Sequence, residues 1–577
     1  MEKRWKIKDK ADANTIQTLQ TELGIDATIA NLLGQRGFKT FDQAKDFFRP
    51  SLTHLHDPFR MKDMDKAIAR IKSAFIKNEK ILIYGDYDVD GTTAVALAYT
   101  FFKDLHKEID YYIPDRYGEG YGISFKGIDW AIENKFSLII ALDCGIKAID
   151  KVEYANKNNV DFIICDHHRP GDQIPEAVAV LDPQRPDCLY PFKELSGCGI
   201  GLKLIQAWLL SENLPIEKLE PFLDLVVVSI ASDMVPVIDE NRTLACFGLK
   251  RINSSPRPGF KAMLELAKVK HELTIMDLVF IIGPRINAAG RIDSGKKAVA
   301  LLISEDSASA LLSGQNINTT NLQRRDLDVK ITEEALEMLN ADPLLKNYKS
   351  TVLFNKEWHK GVIGIVASRL IEKYYRPTIV LTESNGMATG SARSVKDFDI
   401  YAAIESCSDL LEQFGGHKYA AGLTLKPENI IAFRNKFESF VSATIPQHLL
   451  IPEIEIDEPL SFAAINDKFL RILKQLSPFG QGNPSPVFLT RNVMDSGKVC
   501  IVGNNHLKLE LYEQTDPKKS FAAIAFGLGH LFDDIYRRRP IDICYTLEEN
   551  VWNGRTTVQL NVKDIKLSTH EPEGINY

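Results

Sequence analysis

Short, strongly apolar runs separated by stretches with helical spacing characterise the chain between residues 76 and about 250. Strands that alternate with helices in this way predict a parallel sheet with helices on both faces. Before residue 75 the spacing predicts several short amphipathic helices instead. The runs that we expect to be strands are 81–84, 111–113, 138–142, 162–165 and 178–181, and the apolar run 226–232 resembles them.

The pattern changes twice in the second half of the chain. Residues 307–339 are polar with helical spacing, which predicts a long solvated helix, and residues 340–445 again mix strands with helices. Beyond residue 450 apolar and polar residues alternate, and Asn553-Gly554 is a hairpin signal between two such segments. The alternation predicts a small β-barrel but does not separate an OB-fold from an SH3-like barrel. The fold class is therefore multidomain α/β with a β-barrel at the end.

Composition narrows the class of protein. A chain of 577 residues exceeds what one hydrophobic core supports, so we expect several domains. The 8 cysteines stand singly, which argues against a disulfide framework and a zinc ribbon. A net charge of -7 argues against an indiscriminate nucleic-acid binder but allows a local basic channel. We find neither a signal segment nor an apolar run of membrane-spanning length, and we expect a cytoplasmic protein.

Acidic residues directly follow several of the apolar runs, and these residues are the candidates for chemistry. A single aspartate at such a place is usually a turn residue or a helix cap. After the first run, however, three aspartates recur at alternate positions, which a cap does not require. The motif is Gly85-Asp86-Tyr87-Asp88-Val89-Asp90-Gly91, and Asp143, Asp166-His167-His168 and Asp233 follow later runs.

The carboxyl ends of neighbouring parallel strands meet at one edge of a sheet, where open α/β folds bind their ligands. Each motif alone is weak evidence, because an adjacent histidine pair is more often a hydrogen-bonded loop pair. Together they predict a divalent metal site, and carboxylates with one imidazole suit Mn²⁺ or Mg²⁺ better than Zn²⁺. The predicted ligands are Asp86, Asp88, Asp90, Asp143, His167 and Asp233.

In this order the motifs resemble the four motifs of the DHH phosphoesterase superfamily. Residues 113–122 and 283–292 are similar to the RecJ family of single-strand-specific DNA exonucleases within it, and the resemblance covers nearly the whole chain. No metal position departs from the family pattern. The resemblance implies a helical lead-in to the catalytic lobe at 1–75, a DHH catalytic domain at 76–305, a connecting helix at 306–339, a DHHA1 substrate-binding domain at 340–447 and an OB-fold nucleic-acid-binding domain at 448–577.

The resemblance also implies an activity, which is 5′-to-3′ hydrolysis of single-stranded DNA in repair and recombination with two divalent ions, Mn²⁺ or Mg²⁺. Paired ions in such sites lie about 3.5–4 Å apart and act on the attacking and leaving oxygens. Our hypothesis has Asp143 bridge the metals, with Asp86, Asp88 and Asp90 on one side and His167 and Asp233 on the other. His168 would contact the scissile phosphate or donate a proton, and Asp166 would orient the imidazoles.

An exonuclease must also recognise an end, and the resemblance implies a pocket for a 5′-phosphate. Arginine suits this pocket because its planar fork binds phosphate through two hydrogen bonds. The matching positions are Arg116, Arg285, Arg291, Ser391, Arg393 and His417.

In the barrel, Tyr512, Tyr545 and Trp552 are candidates for stacking on bases, although core packing is the commoner role of such residues. The implied partners are single-stranded DNA with a 5′ end, a single-strand-binding protein and a helicase. We expect a monomer that does not associate with a membrane.

Three other functions remain open. The first is a DHH phosphoesterase that hydrolyses pyrophosphate, short oligonucleotides or cyclic dinucleotides, although such enzymes usually lack the barrel. The second is a silent DNA-binding scaffold, which should have lost metal carboxylates. The third, from the pattern alone, is a metal-dependent hydrolase of a small phosphorylated metabolite, which leaves the second lobe and the barrel without a role.

Overall fold

The computed structural model describes residues 2–292, 294–552 and 555–568. Backbone contacts divide the chain into two compact units. The larger unit comprises Pro50–Leu450 with Gly480–Gly482. The smaller unit comprises the described residues up to 49, those from 451 to 479 and those from 483 onward. Within the described ranges, no helix is both long and apolar enough to cross a membrane.

A five-stranded, fully parallel sheet forms the first part of the larger unit. The predicted parallel sheet is therefore confirmed. Its strands, in spatial order, are Ile109–Tyr112, Ile81–Gly85, Leu138–Leu142, Asp161–Cys165 and Ala179–Leu181. Strand order reverses between Ile81–Gly85 and Leu138–Leu142, and both strands are buried along their whole length. This reversal opens the crevice in which doubly wound sheets bind ligands.

Helices cover both faces of this sheet, because alternate residues of each strand point to opposite sides. Ile81 and Ile83 pack into the core on one face, and Leu82 and Tyr84 into the core on the other. The first core also contains residues from Met64–Ile76, Val89–Lys103, Gly197–Ser211, Leu223–Ser232, Asp239–Ser254, Pro258–Leu266, Gly283–Ile292 and Gly295–Leu302. The second contains residues from Phe125–Glu133 and Ile149–Lys157.

The strand-like interpretation of residues 226–232 was wrong. They belong to a buried helix, Leu223–Ser232, and Asp233 is its C-cap residue. A short continuous apolar run is consistent with either a buried strand or a buried helix, and periodicity cannot separate the two. The helix still brings Asp233 to the same sheet edge, because it packs against Val89–Lys103.

A helix of 35 residues, Ser307–Ala341, connects the two lobes of the larger unit. Ala310 and Ile317 belong to the core of the first lobe, whereas Ile331, Ala335 and Leu339 pack against the second. The second lobe contains a mixed sheet of five strands. Its strands in spatial order are Gln413–His417, Ala420–Leu425, Met387–Arg393, Thr378–Ser384 and Thr351–Phe354, and its main helices are Ile363–Tyr374, Ile400–Glu405 and Ile430–Thr444.

The smaller unit is built around a closed five-stranded barrel. Its strands are Phe488–Asp495, His506–Glu513, Asp516–Ala525, Ile541–Trp552 and Arg555–Leu567, and the pairing of the first with the second completes the ring. Tyr545 is fully buried and its hydroxyl lies 2.9 Å from that of Thr490, so it serves the core rather than base stacking. Tyr512 is half-buried. The Asn553-Gly554 turn and the Trp552 side chain lie outside the described residues.

The helical lead-in is divided between the units. Arg4–Ile7 pairs in parallel with Glu453–Ile456, and the smaller unit also holds the helices Ala13–Leu23, Ala27–Gln35, Phe41–Phe48 and Asp467–Gln475. Leu19 and Ile29 share a hydrophobic core with the barrel residue Phe488. The lead-in helices are too short to bury their apolar faces alone, and amphipathic spacing does not show which distant core they join.

A fully buried ion pair fixes residues after Pro50 to the first lobe. Nζ of Lys203 lies 2.8 Å from Oε1 of Glu240, and both side chains have no exposed surface. The ammonium group also donates to the carbonyl of His56 at 2.6 Å, and the hydroxyl of Tyr190 donates to Oε2 of Glu240 at 2.5 Å. Every partner is therefore hydrogen-bonded, which is the condition under which a buried charge pair is tolerated.

We expect Lys203→Met to lower the free energy of unfolding of the larger unit by about 3–5 kcal/mol, because it leaves a buried carboxylate without its cation. Urea titration followed by intrinsic fluorescence measures the shift. Lys157→Met is the matched control, because its pair with Glu153 is 69% and 63% exposed and exposed pairs contribute little. A Lys203→Met midpoint equal to that of the control would contradict this account.

Candidate active site

The Asp86–Asp90 motif forms the turn between the strand Ile81–Gly85 and the helix Val89–Lys103. Asp88 caps this helix, because its Oδ1 accepts the N–H of Gly91 at 3.0 Å. A Cβ at Gly91 would lie 2.5 Å from the carbonyl oxygen of Asp86, so the turn closes tightly only with glycine here. The turn thereby holds Asp86 and Asp90 at the edge of the sheet.

Asp90 is oriented by donors from two other helices. Its two carboxylate oxygens accept the backbone N–H groups of Gly197 at 2.7 Å and Cys198 at 2.8 Å, the first residues of the helix Gly197–Ser211. The hydroxyl of Ser229 donates to it at 2.7 Å. Free N–H groups and the dipole at a helix start favour an anion, which explains why a buried carboxylate is accommodated here.

Asp143 follows the strand Leu138–Leu142 with φ of 60°, a conformation that is uncommon for a residue other than glycine. A Cβ at Gly197 would lie only 2.6 Å from the Cβ of Asp143. The start of the Gly197–Ser211 helix therefore approaches Asp143 as closely as the chain permits. One helix start thus fixes Asp90 by hydrogen bonds and Asp143 by contact.

His167 lies among three of the carboxylates. Its Nε2 is 3.2 Å from Oδ1 of Asp143, 3.6 Å from Oδ2 of Asp90 and 3.6 Å from Oδ2 of Asp233. Within the described ranges, this nitrogen and both oxygens of Asp143 are buried without a hydrogen-bond partner, as is Oδ2 of Asp86. Two sets of side chains could hold a metal ion: Asp143, His167 and His168, and Asp90, His167 and Asp233.

The electrostatics of this edge favour a cation. Burial raises the pKa of Asp86, and the charge of Asp88 raises it further. Burial and the charge of Asp90 likewise raise the pKa values of Asp88, Asp143 and Asp233. A bound cation stabilises the ionised forms of such carboxylates. The oxygen-rich donor set with one imidazole, several of its atoms lacking partners, fits Mn²⁺ or Mg²⁺.

Asp166 and His168 form an ion pair beside this cluster. Nδ1 of His168 lies 2.7 Å from Oδ1 of Asp166, which also accepts the N–H of His167 at 2.8 Å. Burial opposes ionisation, but the His168 hydrogen bond lowers the pKa of Asp166 to about 2. The same bond outweighs the effect of burial on His168 and raises its pKa to about 9. The pairing with Asp166 therefore favours the imidazolium form of His168.

A cavity of about 610 Å³ lies between the first lobe and the second lobe of the larger unit. Four of the predicted phosphate-binding residues line it: Arg116, Arg291, Ser391 and Arg393. Nη1 of Arg393 donates to Oγ of Ser391 at 3.0 Å, and Nη1 of Arg291 donates to the carbonyl of Gly361 at 3.2 Å. Burial and the charges of Arg116 and Arg393 lower the pKa of Arg291 to about 10. This crowding of guanidinium groups favours an anionic ligand.

The other two predicted residues lie elsewhere. Arg285 is not among the residues that line the cavity; it donates to the carbonyl of Ile281 at 2.6 Å. His417 ends the strand Gln413–His417, and its pKa is lowered by burial and by the charges of Lys147, His168 and Arg169. Among these charges, that of His168 comes from the acidic edge.

Two residues beside the cluster were missed from the sequence. The hydroxyl of Tyr121 lies 3.2 Å from Nε2 of His168, and its ring meets that of Tyr87, over which the Arg116 guanidinium lies at 5.1 Å. Asp182 follows the strand Ala179–Leu181 and is buried, and burial and the charge of Asp166 raise its pKa to about 7. The strand-end rule could have found Asp182, but no local signal marks Tyr121.

Three stretches of the chain match known domain families. Residues 80–230 match the N-terminal domain of the DHH family, residues 347–443 match the DHHA1 domain, and residues 456–564 match the RecJ OB domain. These matches contain the acidic sheet edge except Asp233, the arginine- and serine-bearing strand of the second lobe, and the closed barrel except the end of its last strand.

Whole proteins are similar as well. The single-stranded-DNA-specific exonuclease RecJ of Bacillus subtilis is 37% identical over 569 residues, which is 98% of this chain and 71% of that protein. The protein of the same name from Escherichia coli is 32% identical over 528 residues, 88% of this chain and 90% of that protein. The crystal structure of RecJ from Thermus thermophilus in complex with Mn²⁺ is 28% identical with a TM-score of 0.84, covering 99% of this chain and 80% of that one. On this identity across nearly its entire length, the chain belongs to the RecJ family.

Proposed function

We propose that this chain is a single-stranded-DNA-specific exonuclease that hydrolyses phosphodiester bonds from the 5′ end, in DNA repair and recombination. The observation that carries the proposal is the position of an acidic metal site and an arginine-lined cavity on the same face of the larger unit. Tyr121 lines the cavity and also contacts His168 of the acidic edge. A strand whose 5′ end lies in the cavity would thus present a nearby phosphodiester to the acidic edge.

The divalent metal ions would be held by Asp90, Asp143, His167 and Asp233, and Asp86 and Asp88 would complete the set of ligands. Asp143 would be the ligand shared between two ions. When bound, Mn²⁺ or Mg²⁺ lowers the pKa of a water that attacks phosphorus and neutralises charge on the phosphate. The RecJ of Thermus thermophilus has been solved with each of these ions. The partnerless buried oxygens of Asp143 support its assignment as the shared ligand.

His168 would hold a proton at Nε2 and direct it towards the scissile phosphate or the leaving oxygen. Asp166 keeps the ring in place through Nδ1 and keeps it charged, which is the role of a carboxylate behind a catalytic imidazole. Tyr121 lies against Nε2 and would limit the access of water there.

Arg116, Arg291, Ser391 and Arg393 would bind the terminal 5′-phosphate. The guanidinium groups of Arg291 and Arg393 are held by the carbonyl of Gly361 and by Oγ of Ser391, so they lose little freedom when an anion binds. The guanidinium of Arg116 lies over the ring of Tyr87. The barrel would hold DNA further along the strand, as OB-folds do in other single-strand binders. The proposed partners are single-stranded DNA, a single-strand-binding protein and a helicase, and the proposed state is a cytoplasmic monomer.

The decisive assay uses a single-stranded oligonucleotide with a 5′-phosphate and a 3′ label, with Mn²⁺ and then with EDTA. We expect a metal-dependent ladder that shortens from the 5′ end, and no ladder from blunt duplex. If long strands survive while dinucleotides or pyrophosphate are consumed, the chain is a phosphoesterase of small substrates instead.

Arg393→Ala is expected to lower kcat/KM on the 5′-phosphorylated strand by about 10- to 100-fold, the value of a hydrogen bond to a charged group. The 5′-hydroxyl strand is the internal control, because it lacks the group that Arg393 would bind. An equal loss on both strands would assign Arg393 to a general structural role.

Asp143→Asn is expected to lower kcat by at least about 100-fold, since even residues behind metal ligands cost 10- to 100-fold when changed. In EDTA the variant should melt no lower than the wild type, because burial and the neighbouring carboxylates disfavour a charge on Asp143. Adding Mn²⁺ should raise the melting temperature of the wild type but not of the variant. Full turnover with an unchanged Mn²⁺ titration would exclude Asp143 as the shared ligand.

Gly197→Ala is expected to lower kcat by about 10- to 100-fold, because the added methyl displaces Asp143 and small displacements of this kind carry such costs. Gly199→Ala on the same helix is the matched control, since the nearest atom to its new Cβ would be Oγ of Ser196 at 3.3 Å. Steady-state kinetics on the same oligonucleotide compare the two variants, and equal rates would rule out the steric role of Gly197.

A further inference from the structure

Arg285 belongs to a second group of arginines, outside the cavity, between the helix Gly283–Ile292 and the long helix Ser307–Ala341. Its Nη1 donates to the carbonyl of Ile281 at 2.6 Å, and its Nε donates to Oδ1 of Asn318 on the long helix at 3.2 Å. Two turns beyond Asn318, the long helix carries Arg324 and Arg325, which follow one another in sequence. The charges of both act on Arg285.

This arginine group has little compensating negative charge. Arg324 donates to Oδ1 of Asn321 at 3.0 Å, and its Nη1 lies 3.9 Å from Asp328. The same Asp328 carboxylate is already paired with Arg369 of the second lobe at 2.7 Å. Within the ranges that the structure describes, Asp328 thus forms ion pairs with both Arg324 and Arg369, and neither Arg285 nor Arg325 forms one.

Burial and mutual repulsion both disfavour the charged forms of these arginines. Burial and the charges of Arg325 and Arg324 lower the pKa of Arg285. Burial also lowers the pKa of Arg324, and Arg325 and Arg369 add to this shift against the opposing effect of Asp328. In addition, Nε of Arg324 is buried without a hydrogen-bond partner in the described part of the chain. Repelling guanidinium groups with an unused donor form a site for an anion.

We propose that Arg285, Arg324 and Arg325 form a second phosphate-binding site, which holds the backbone of the single strand at a place other than its 5′ terminus. The inference rests on the proposed function, because its ligand is the proposed substrate. The charge of Arg324 also acts on Arg291, which lines the cavity.

A single strand suits this surface better than an acidic protein segment. Phe280, which precedes the Ile281 acceptor of Arg285, exposes 69% of its surface. Exposed aromatic rings beside arginines are the usual means by which proteins bind single-stranded nucleic acid without sequence preference. Phosphate also accepts two hydrogen bonds from one guanidinium, which explains the choice of arginine over lysine at all three positions.

The test measures binding of a 5′-hydroxyl oligonucleotide in EDTA, where no cleavage occurs, by fluorescence anisotropy over a series of salt concentrations. Arg285→Ala and Arg325→Ala should each weaken binding by about 3- to 10-fold and reduce the slope of log K against log salt by about 0.7, the value for one phosphate contact of a single strand. Lys330→Ala, on the same helix with a side chain 74% exposed, is the matched control.

The terminal group of the strand separates this site from the cavity. Arg393→Ala should weaken binding of the 5′-phosphorylated strand only, whereas Arg325→Ala should weaken binding of both strands equally. Thermal melting shows whether each variant is folded, and Arg325 is exposed, so its variant should melt like the wild type.

The inference is overturned if Arg325→Ala and Arg285→Ala bind like Lys330→Ala, if their effect requires a 5′-phosphate, or if they weaken binding of a polyglutamate peptide as much as binding of DNA. These outcomes are distinct from failure of the proposed function. If the wild-type protein degrades no single strand with Mn²⁺, the proposed function is refuted. If the wild type shortens strands from the 5′ end and the arginine variants bind DNA like the control, this inference alone is refuted.

Discussion

Mutual repulsion between buried carboxylates is the constraint on which the architecture of the first lobe depends. Asp86, Asp90 and Asp143 are almost wholly withdrawn from water, at 0%, 2% and 1% exposure. Burying ionised carboxylates side by side is unfavourable unless dipoles, donors or cations oppose it. The lobe supplies dipoles and donors at the start of one helix and an imidazole from the neighbouring strand end. The remaining atoms without partners leave room for metal ions.

The arginine side chains near the candidate site are separated from the acidic edge. His168 is paired with Asp166 beside the carboxylates, whereas Arg291 and Arg393 line the cavity and Arg324 lies on the connecting helix. If these guanidinium groups lay within the acidic edge, they would pair with the carboxylates and displace the metal ions. A substrate with several phosphates can bind to both regions at once, because its charge complements the arginines and its phosphodiester needs the ions.

The sequence was sufficient for the elements that depend on local pattern. Apolar runs correctly predicted the buried strands of the first sheet. The residues that follow these strands lie close together because parallel strands end at the same edge of a sheet. The hydrophobic pattern did not predict the structure where tertiary contacts determine the secondary structure or the core that a segment joins. Residues 226–232 form a helix because they are buried among other helices, and the short helices before Arg49 join a core whose strands lie more than 400 residues later in the chain.

The same distinction applies to the candidate site. The acidic residues and the arginines of the cavity were identifiable because side-chain chemistry is visible in sequence. Gly197 and Cys198 were not, since they contribute backbone N–H groups, which every residue except proline has. Tyr121 was missed because its contact with His168 joins two loops 47 residues apart. Arg285 was predicted together with the arginines of the cavity, which it does not line, because the sequence does not show which arginines of one motif line the same cavity.

The backbone donors to Asp90 have a further consequence. Peptide N–H groups keep their protons throughout the pH range in which proteins are folded, so these donors to Asp90 are permanent. A lysine or a histidine in their place would release the carboxylate when it lost its proton. The donors that face Asp90 are therefore the same whether or not a neighbouring side chain is ionised.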